Sequence, residues 1–295
     1  MSSILCIGDV MLDVVVKFQG NINFDSDTKS KITTHGGGAA ANTSAWLADL
    51  GSTVNFVGKV GTDSVGAELT AQLTRAGVVC SAPPVANESS GVVVVLVDSF
   101  GARTMFPDSG ANSRLSHSDL PKLAGFDAAF LSGYALFNSE THLEVMKIIE
   151  SLREAKIPIF FDPASVGTMN SFGIETARKL LQKFDVCILN ESEANFLAGT
   201  SDATDALARL LEATPTVVIK CGASGAIAGS RNQKAISLPA LETEVIDTTG
   251  AGDSFNAGFI NRWVAQRDLM GALAAAIEIS ASCVAIIGAR PSVNT

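Results

Sequence analysis

The chain is predicted to be an α/β protein: a doubly wound, mostly parallel sheet with helices on both faces, and a small β-sheet set apart from it. Three observations carry this reading. From about residue 127 onward, short apolar runs alternate with helical patterns, and repeated βα units of that length require a parallel sheet. The first apolar run, Ile4 to Ile7, is continuous rather than alternating, as a strand buried on both faces must be. Two strand-rich pieces, about 11–34 and 90–107, break the alternation and are read together as the small sheet. With 295 residues, 47% of them hydrophobic, and no repeat or linker of note, 1–295 is read as one domain with a large core.

Taken in order, Ile4 to Ile7 ends at Gly8-Asp9, and Met11 to Phe18 is a second strand carrying Asp13. A polar stretch, Asn21 to Lys31, follows. His35-Gly36-Gly37-Gly38-Ala39-Ala40-Ala41-Asn42 leads into a helix through Trp46, Leu47 and Leu50 that stops at Gly51. Val54 to Val60 is a strand, Asp63 caps a helix running to Arg75, and Gly77 is its stop signal. Val92 to Val97 and Arg103 to Phe106 form a hairpin about the turn Asp98-Ser99-Phe100-Gly101. The regular part begins with strand Ala128 to Leu131 and a helix capped by Ser139. Strand Ile157 to Phe161 leads through Asp162-Pro163 to a helix at Ala177 to Leu181. Strand Val186 to Leu189 precedes a short helix ended by Gly199, and a helix over 202–213 precedes strand Val217 to Ile219. Leu269 to Ala289 is very apolar but is interrupted by Glu278, Ser280 and Ser282, so it is expected as a buried helix and not a membrane span.

The net charge of -9 argues against nonspecific nucleic-acid or anionic-membrane binding, both of which need a basic face, and favours small-molecule partners. Cys6, Cys80, Cys187, Cys221 and Cys283 include no CxxC pair and read as buried thiols of a cytoplasmic protein. Met1-Ser2-Ser3-Ile4 has no basic n-region, so no signal peptide is expected. His35, His117 and His142 share no metal-ligand spacing and are expected to be structural or exposed.

Chemistry concentrates in Asp247-Thr248-Thr249-Gly250-Ala251-Gly252-Asp253-Ser254-Phe255. Phe255, Phe259 and Trp263 recur at helical spacing, so the glycines open a helix, whose first N–H groups lack partners and carry its positive end. Gly250 and Gly252 let a phosphate reach the backbone, while Asp253 sets a carboxylate beside the same spot. An acid so placed is suited to take a proton from an attacking hydroxyl; the plainer alternative is a capping acid. Strand ends of such a sheet collect ligands, and Asp13, Tyr134, Asp162, Asn190, Glu193, Lys220 and Gly222 follow or sit in apolar runs.

With these residues side by side, the chain resembles the ribokinase-like (PfkB) family of carbohydrate and nucleoside kinases over nearly its whole length. The segment 247–255 resembles the family's anion-hole and catalytic motif, and Gly37-Gly38-Ala39-Ala40-Ala41-Asn42 its Gly-Gly substrate motif. Asn190-Glu191-Ser192-Glu193, Lys220-Cys221-Gly222-Ala223-Ser224-Gly225 and Gly288-Ala289-Arg290-Pro291-Ser292 support the match. The resemblance implies an ATP-dependent kinase acting on a hydroxymethyl group, with Asp253 as base and the Gly250, Ala251 and Gly252 amides holding the transferring phosphoryl. It implies magnesium and phosphates organised by Asn190 and Glu193, the magnesium through water. Lys220, Gly222, Gly225 and Gly288 would lie along the nucleotide. Asp13, Gly37, Gly38, Asn42 and Asn112 would hold the sugar. Arg103, after the hairpin turn, is read either as a lid-surface charge or as a group that swings towards the phosphates when the lid closes. Asp247, Thr249, Gly288 and Ser292 match loops that bind a monovalent cation, potassium among them, in many members. The two strand-rich pieces match a lid that closes over the substrate and forms a homodimer. Met11 and Ala39 stand where the ribose pattern has Asn and Lys, so a substrate other than ribose is expected. A nucleoside kinase of the same family and a noncatalytic nucleotide or sugar sensor are the alternatives.

Overall fold

The computed structural model describes residues 1–231 and 233–292. Its strands are β1 (Ser3–Ile7), β2 (Met11–Phe18), β3 (Ser30–Gly37), β4 (Thr53–Val57), β5 (Val78–Cys80), β6 (Gly91–Val97), β7 (Arg103–Asp108), β8 (Ala128–Ser132), β9 (Ile159–Asp162), β10 (Val186–Asn190), β11 (Thr216–Lys220), β12 (Ala226–Ser230) and β13 (Ile236–Leu238). Its α-helices are α1 (Ala39–Asp49), α2 (Ser64–Arg75), α3 (Gly133–Leu136), α4 (His142–Glu154), α5 (Val166–Phe172), α6 (Ile174–Leu180), α7 (Glu191–Ala198), α8 (Ala203–Ala213), α9 (Ala251–Gln266) and α10 (Leu269–Val284). Nine strands form the main sheet in the order β13-β12-β11-β10-β9-β8-β1-β4-β5, parallel except where β12 and β13 pair antiparallel at one edge. The remaining four form a separate sheet, β3-β2-β6-β7, whose central pair β2–β6 is parallel and whose outer pairs are antiparallel.

Successive side chains of a strand point to opposite faces, and β1 divides the core accordingly. Ile4 and Cys6 join a cluster with Leu47 of α1, Phe259 of α9 and Leu273 of α10, while Leu5 and Ile7 join one with Ile148 of α4 and Leu207 of α8. Helices thus cover both faces, as the continuous apolar run required. Several helix ends follow the expected side chains. The Asp63 carboxylate accepts from the Gly66 amide at 2.7 Å and starts α2, and Gly199, in the left-handed conformation, ends α7.

Four expectations are corrected. The polar stretch after β2 contains the start of β3, which continues through His35 to Gly37, so the glycine run closes a strand before it opens a helix. The first strand-rich piece, expected to end near residue 34, therefore extends to Gly37. Thr141, not Ser139, precedes α4; its hydroxyl donates to the Ala135 carbonyl at 2.6 Å and ties α3 to α4 instead of capping. The segment after β11 returns as the antiparallel hairpin β12–β13 where further alternation was expected. Leu269–Val284 is a helix on the core, and among the described residues no helix is long and apolar enough to cross a membrane.

Lys59, past the end of β4, donates to Asp119 at 2.6 Å and to the Pro83 carbonyl at 3.2 Å, with both charged side chains under one-tenth exposed. Removing one partner leaves a buried uncompensated charge. Asp119→Ala is expected to cost about 3–5 kcal/mol in urea denaturation, and a loss below about 1 kcal/mol would contradict this assignment.

Candidate active site

The carboxyl ends of the central parallel strands and the inner face of the small sheet enclose a cleft of about 1270 Å³. This is where an open parallel sheet places ligands. Alternation along the small sheet aims Asp13, Val15, Val93, Val95 and Met105 into it.

Helix α9 opens onto this cleft. Its N-cap Gly250 has a φ of 79°, and a side chain there would run into Ala289, so the left-handed turn needs glycine. Among the described residues the amides of Gly250, Gly252 and Asp253 make no hydrogen bond inside the chain. Ala251, expected with the glycines, instead donates to the Thr248 carbonyl at 3.3 Å. The unspent donors at the positive helix end are therefore those of 250, 252 and 253. A Cβ on Gly252 would lie 3.4 Å from Lys220 Nζ, so the ammonium stands beside the same loop.

Asp253 borders the cleft half-buried, and its Oδ2 accepts from Asn42 Nδ2 at 2.9 Å. Burial pushes its carboxyl up to about 8; Asn42 and Lys220 oppose the rise, while the charges of Asp162 and Asp9 add to it. Asp162, at the end of β9, accepts from Lys220 Nζ at 2.7 Å and Asn256 Nδ2 at 2.8 Å through Oδ2, and from the Ala164 amide at 2.8 Å through Oδ1. Burial draws the Lys220 ammonium down, but Asp162 and Glu193 outweigh it and hold it above its ordinary range.

Asn190 and Glu193 form a reciprocal capping box at the start of α7: Asn190 Oδ1 accepts from the Glu193 amide, and Glu193 Oε2 from the Asn190 amide, both at 2.9 Å. Glu193 is 2% exposed, and burial reinforced by Asp162 holds its carboxyl above the usual range. Among the described residues no group of three metal-type side chains converges. Asp162 and Glu193 facing the cleft fit magnesium in its common mode, held by one or two carboxylates with water and phosphates rather than by a protein cage.

The other expected residues separate into those gathered here and those that are not. Asp13, Gly38 and Asn42 border the cleft together; burial pushes the Asp13 carboxyl up to about 6 despite the nearby Arg290. Gly37 does not border it and offers its carbonyl to Arg290 Nη2 at 2.9 Å. Asn112 borders the cleft, but its amide is spent on the Val10 backbone, accepting at 3.0 Å and donating at 2.9 Å, and so braces the entry to β2. Arg103 borders the cleft and reaches the loop before α9, donating to Thr249 Oγ1 at 3.1 Å and Asp247 Oδ1 at 3.2 Å. Asp247 also accepts from the Thr249 amide at 3.0 Å and the Gly288 amide at 3.2 Å. Burial works against its charge, yet these bonds and Arg103 keep its carboxyl below the ordinary range. Gly222, Gly225 and Ser292 do not border the cleft, and Ser292 is exposed.

Sequence reasoning missed Asp9, Asn256 and Arg290. Asp9 holds α1 in place, accepting from the Ala39 amide and the Ser132 hydroxyl, both at 2.8 Å. Its signal was the Gly8-Asp9 step directly after a buried strand. Asn256 lies one turn beyond Asp253 on α9, a spacing that puts both on one face.

The whole chain, residues 1–295, matches the family model described as pfkB family carbohydrate kinase. It is 27% identical to a fructokinase of Klebsiella pneumoniae over 290 residues, covering 95% of this chain and 91% of the relative. Its fold is similar to that of an adenosine kinase from Sinorhizobium meliloti, with a TM-score of 0.88 at 21% identity, covering 98% and 96% of the two chains. It is similar as well to Arabidopsis thaliana ribokinase complexed with ribose and ATP, with a TM-score of 0.82 at 25% identity, covering 98% and 94%. With the glycine-opened helix, the acid in its first turn and the lid sheet already in place, this match over the full length makes the chain a member of the pfkB family of carbohydrate kinases.

Proposed function

We propose that the chain transfers the γ-phosphoryl group of ATP to a hydroxymethyl group of a small sugar or sugar derivative, with Asp253 as general base. The observation that carries this is the placement of the Asp253 carboxylate. It borders the same cleft as Asp13, Asn42, Gly250, Gly252 and Lys220, and its Oδ1 makes no hydrogen bond among the described residues.

In this reading the acceptor hydroxyl lies between Asp13 and Asp253, and its proton passes to Asp253 as its oxygen bonds to the γ-phosphorus. The bond from that phosphorus to the bridging oxygen of ADP breaks in line. The amides of Gly250, Gly252 and Asp253, with Lys220, face the charge on the transferring group and need no rearrangement to do so. Asp162 anchors Lys220 for that purpose. Magnesium, held by Glu193 and Asp162 through water, would neutralise phosphate charge. The loops of Asp247, Thr249, Gly288 and Ser292 are the proposed seat of a potassium ion, with Arg103 closing the lid over them.

A nucleoside acceptor is the second reading. It is favoured by the apolar lid face of Val93, Val95 and Met105 opposite Tyr134 and Phe137, room in which a base fits between walls. The outer lid face exposes Ile32 by 59% and Phe106 by 56%, which supports a homodimer through the lid.

An ATP-consumption screen over pentoses, hexoses, keto-deoxy acids and nucleosides, with and without potassium, is expected to return a sugar. Turnover on nucleosides alone would move the assignment to the second reading. With the acceptor found, Asp253→Asn is expected to lose at least about a hundredfold in kcat while keeping substrate affinity. A fully active variant would end the base assignment. Phe106→Asp is expected to halve the mass seen by light scattering, and an unchanged mass would contradict the lid dimer.

A further inference from the structure

The guanidinium of Arg290 is set between the C-terminal loop and the end of β3. It donates through Nη2 to the Gly37 carbonyl at 2.9 Å, through Nη1 to Gln72 Oε1 at 3.4 Å and through Nε to Asn42 Oδ1 at 3.0 Å. Gly36 makes the room. Its φ is not positive, yet a Cβ there would meet Gln72 Oε1 first and lie 2.6 Å from Arg290 Nη1, so the glycine at 36 leaves room for the arginine together with its Gln72 partner and does not serve a bend in the chain. The segment that bears Arg290 is itself tied down, because Trp46 Nε1 donates to the Ala289 carbonyl at 2.9 Å.

We propose that Arg290 is a positioning residue for phosphoryl transfer: it sets the direction of the chain Arg290 to Asn42 to Asp253, turning the Asn42 amide N–H onto Oδ2 of the base. The proposal rests on the reading of Asp253 as base. Arginine only donates, so Asn42 must meet it with oxygen and must meet Asp253 with nitrogen. A reversed amide would set oxygen against the carboxylate, two acceptors that only a proton on Asp253 could reconcile. Asn42 is 4% exposed, so no water is at hand to relieve that clash. By holding the amide one way, Arg290 keeps Oδ2 occupied and leaves Oδ1 to the acceptor hydroxyl.

Other groups face Asp253 as well. Asp9 and Asp162 favour its protonation, Lys220 and the charge of Arg290 oppose it, and Tyr134 and Cys283 look onto it as neutral groups. A test must therefore separate the relay through Asn42 from the bare charge of Arg290. Infrared titration of the Asp253 carboxylic C=O band, identified by its loss in Asp253→Asn, does so without any substrate. Arg290→Met is expected to move the midpoint to higher pH by about one unit or more, and Arg290→Lys to restore most of it. In an Asn42→Ala background, Arg290→Met is expected to move it clearly less, by about half or below, because the relay is already broken and only the charge of Arg290 is lost. Gly36→Ala, which crowds the guanidinium but keeps its charge, is expected to shift the midpoint in the same direction and serves should Arg290→Met not fold. A wild-type midpoint in both Arg290→Met and Gly36→Ala, or an equal Arg290→Met shift in both backgrounds, would overturn the proposal. Turnover by Asp253→Asn would instead overturn the base reading, and the two failures are read from different signals.

Discussion

A carboxylate, Asp253, is held half-buried beside the positive end of α9, in a cleft that already contains Asp9, Asp13 and Asp162. Several like charges at close quarters are costly, and the fold answers by placing Lys220 and Arg290 among them and by aiming unspent helix amides at the same space. This explains why the two glycine-rich turns, more than two hundred residues apart in sequence, are joined by a direct hydrogen bond from Asn42 to Asp253. The packing of α1 against α9 makes the junction, since Asn42 lies in the first turn of α1 and Asp253 in the first turn of α9.

On the reading of Asp253 as base, the same constraint sets what kind of base it would be. An ordinary aspartate, with a pKa near ~4, is a weak base at neutral pH. Burial here lifts the carboxyl to about 8, within the range where proton transfer from an alcohol is best matched near neutrality. Asp162 acts on the same balance from the other side: its charge adds to the rise, while the lysine it anchors faces the loop where phosphate negative charge would gather.

Much of the fold was legible because its signals are local. Asp63 and Gly77 bracketed α2 by cap chemistry, and the unbroken run of β1 announced burial on both faces. The glycine turn at 250–252 announced the opening of a helix from residue type alone, with the acid at 253 in its first turn. What stayed hidden depends on long-range contact. The start of β3 lies in a polar stretch that becomes a strand only by pairing with β2. Gly222 and Gly225 are expected along a nucleotide by resemblance, and the local reason for glycine at 225 is that the end of β13 passes where its side chain would be. Asn112 and Asn190 carry the residue types of ligand groups, yet their amides are largely spent on a backbone brace and a helix cap. Arg290 lay in the quoted 288–292 segment, but no role could be read for it there, since its meaning depends on Gly36, Gln72 and Asn42 arriving from the other end of the chain.

The central claim is that a half-buried carboxylate on α9 accepts the acceptor's proton. The most direct test is the pH dependence of kcat/KM in the wild-type enzyme with its acceptor sugar. A base raised to about 8 must lose its proton to work, so kcat/KM should climb about tenfold per pH unit from 6 towards a plateau above 8. A profile flat down to pH 5, with its limb near the ~4 of an ordinary aspartate, would contradict it.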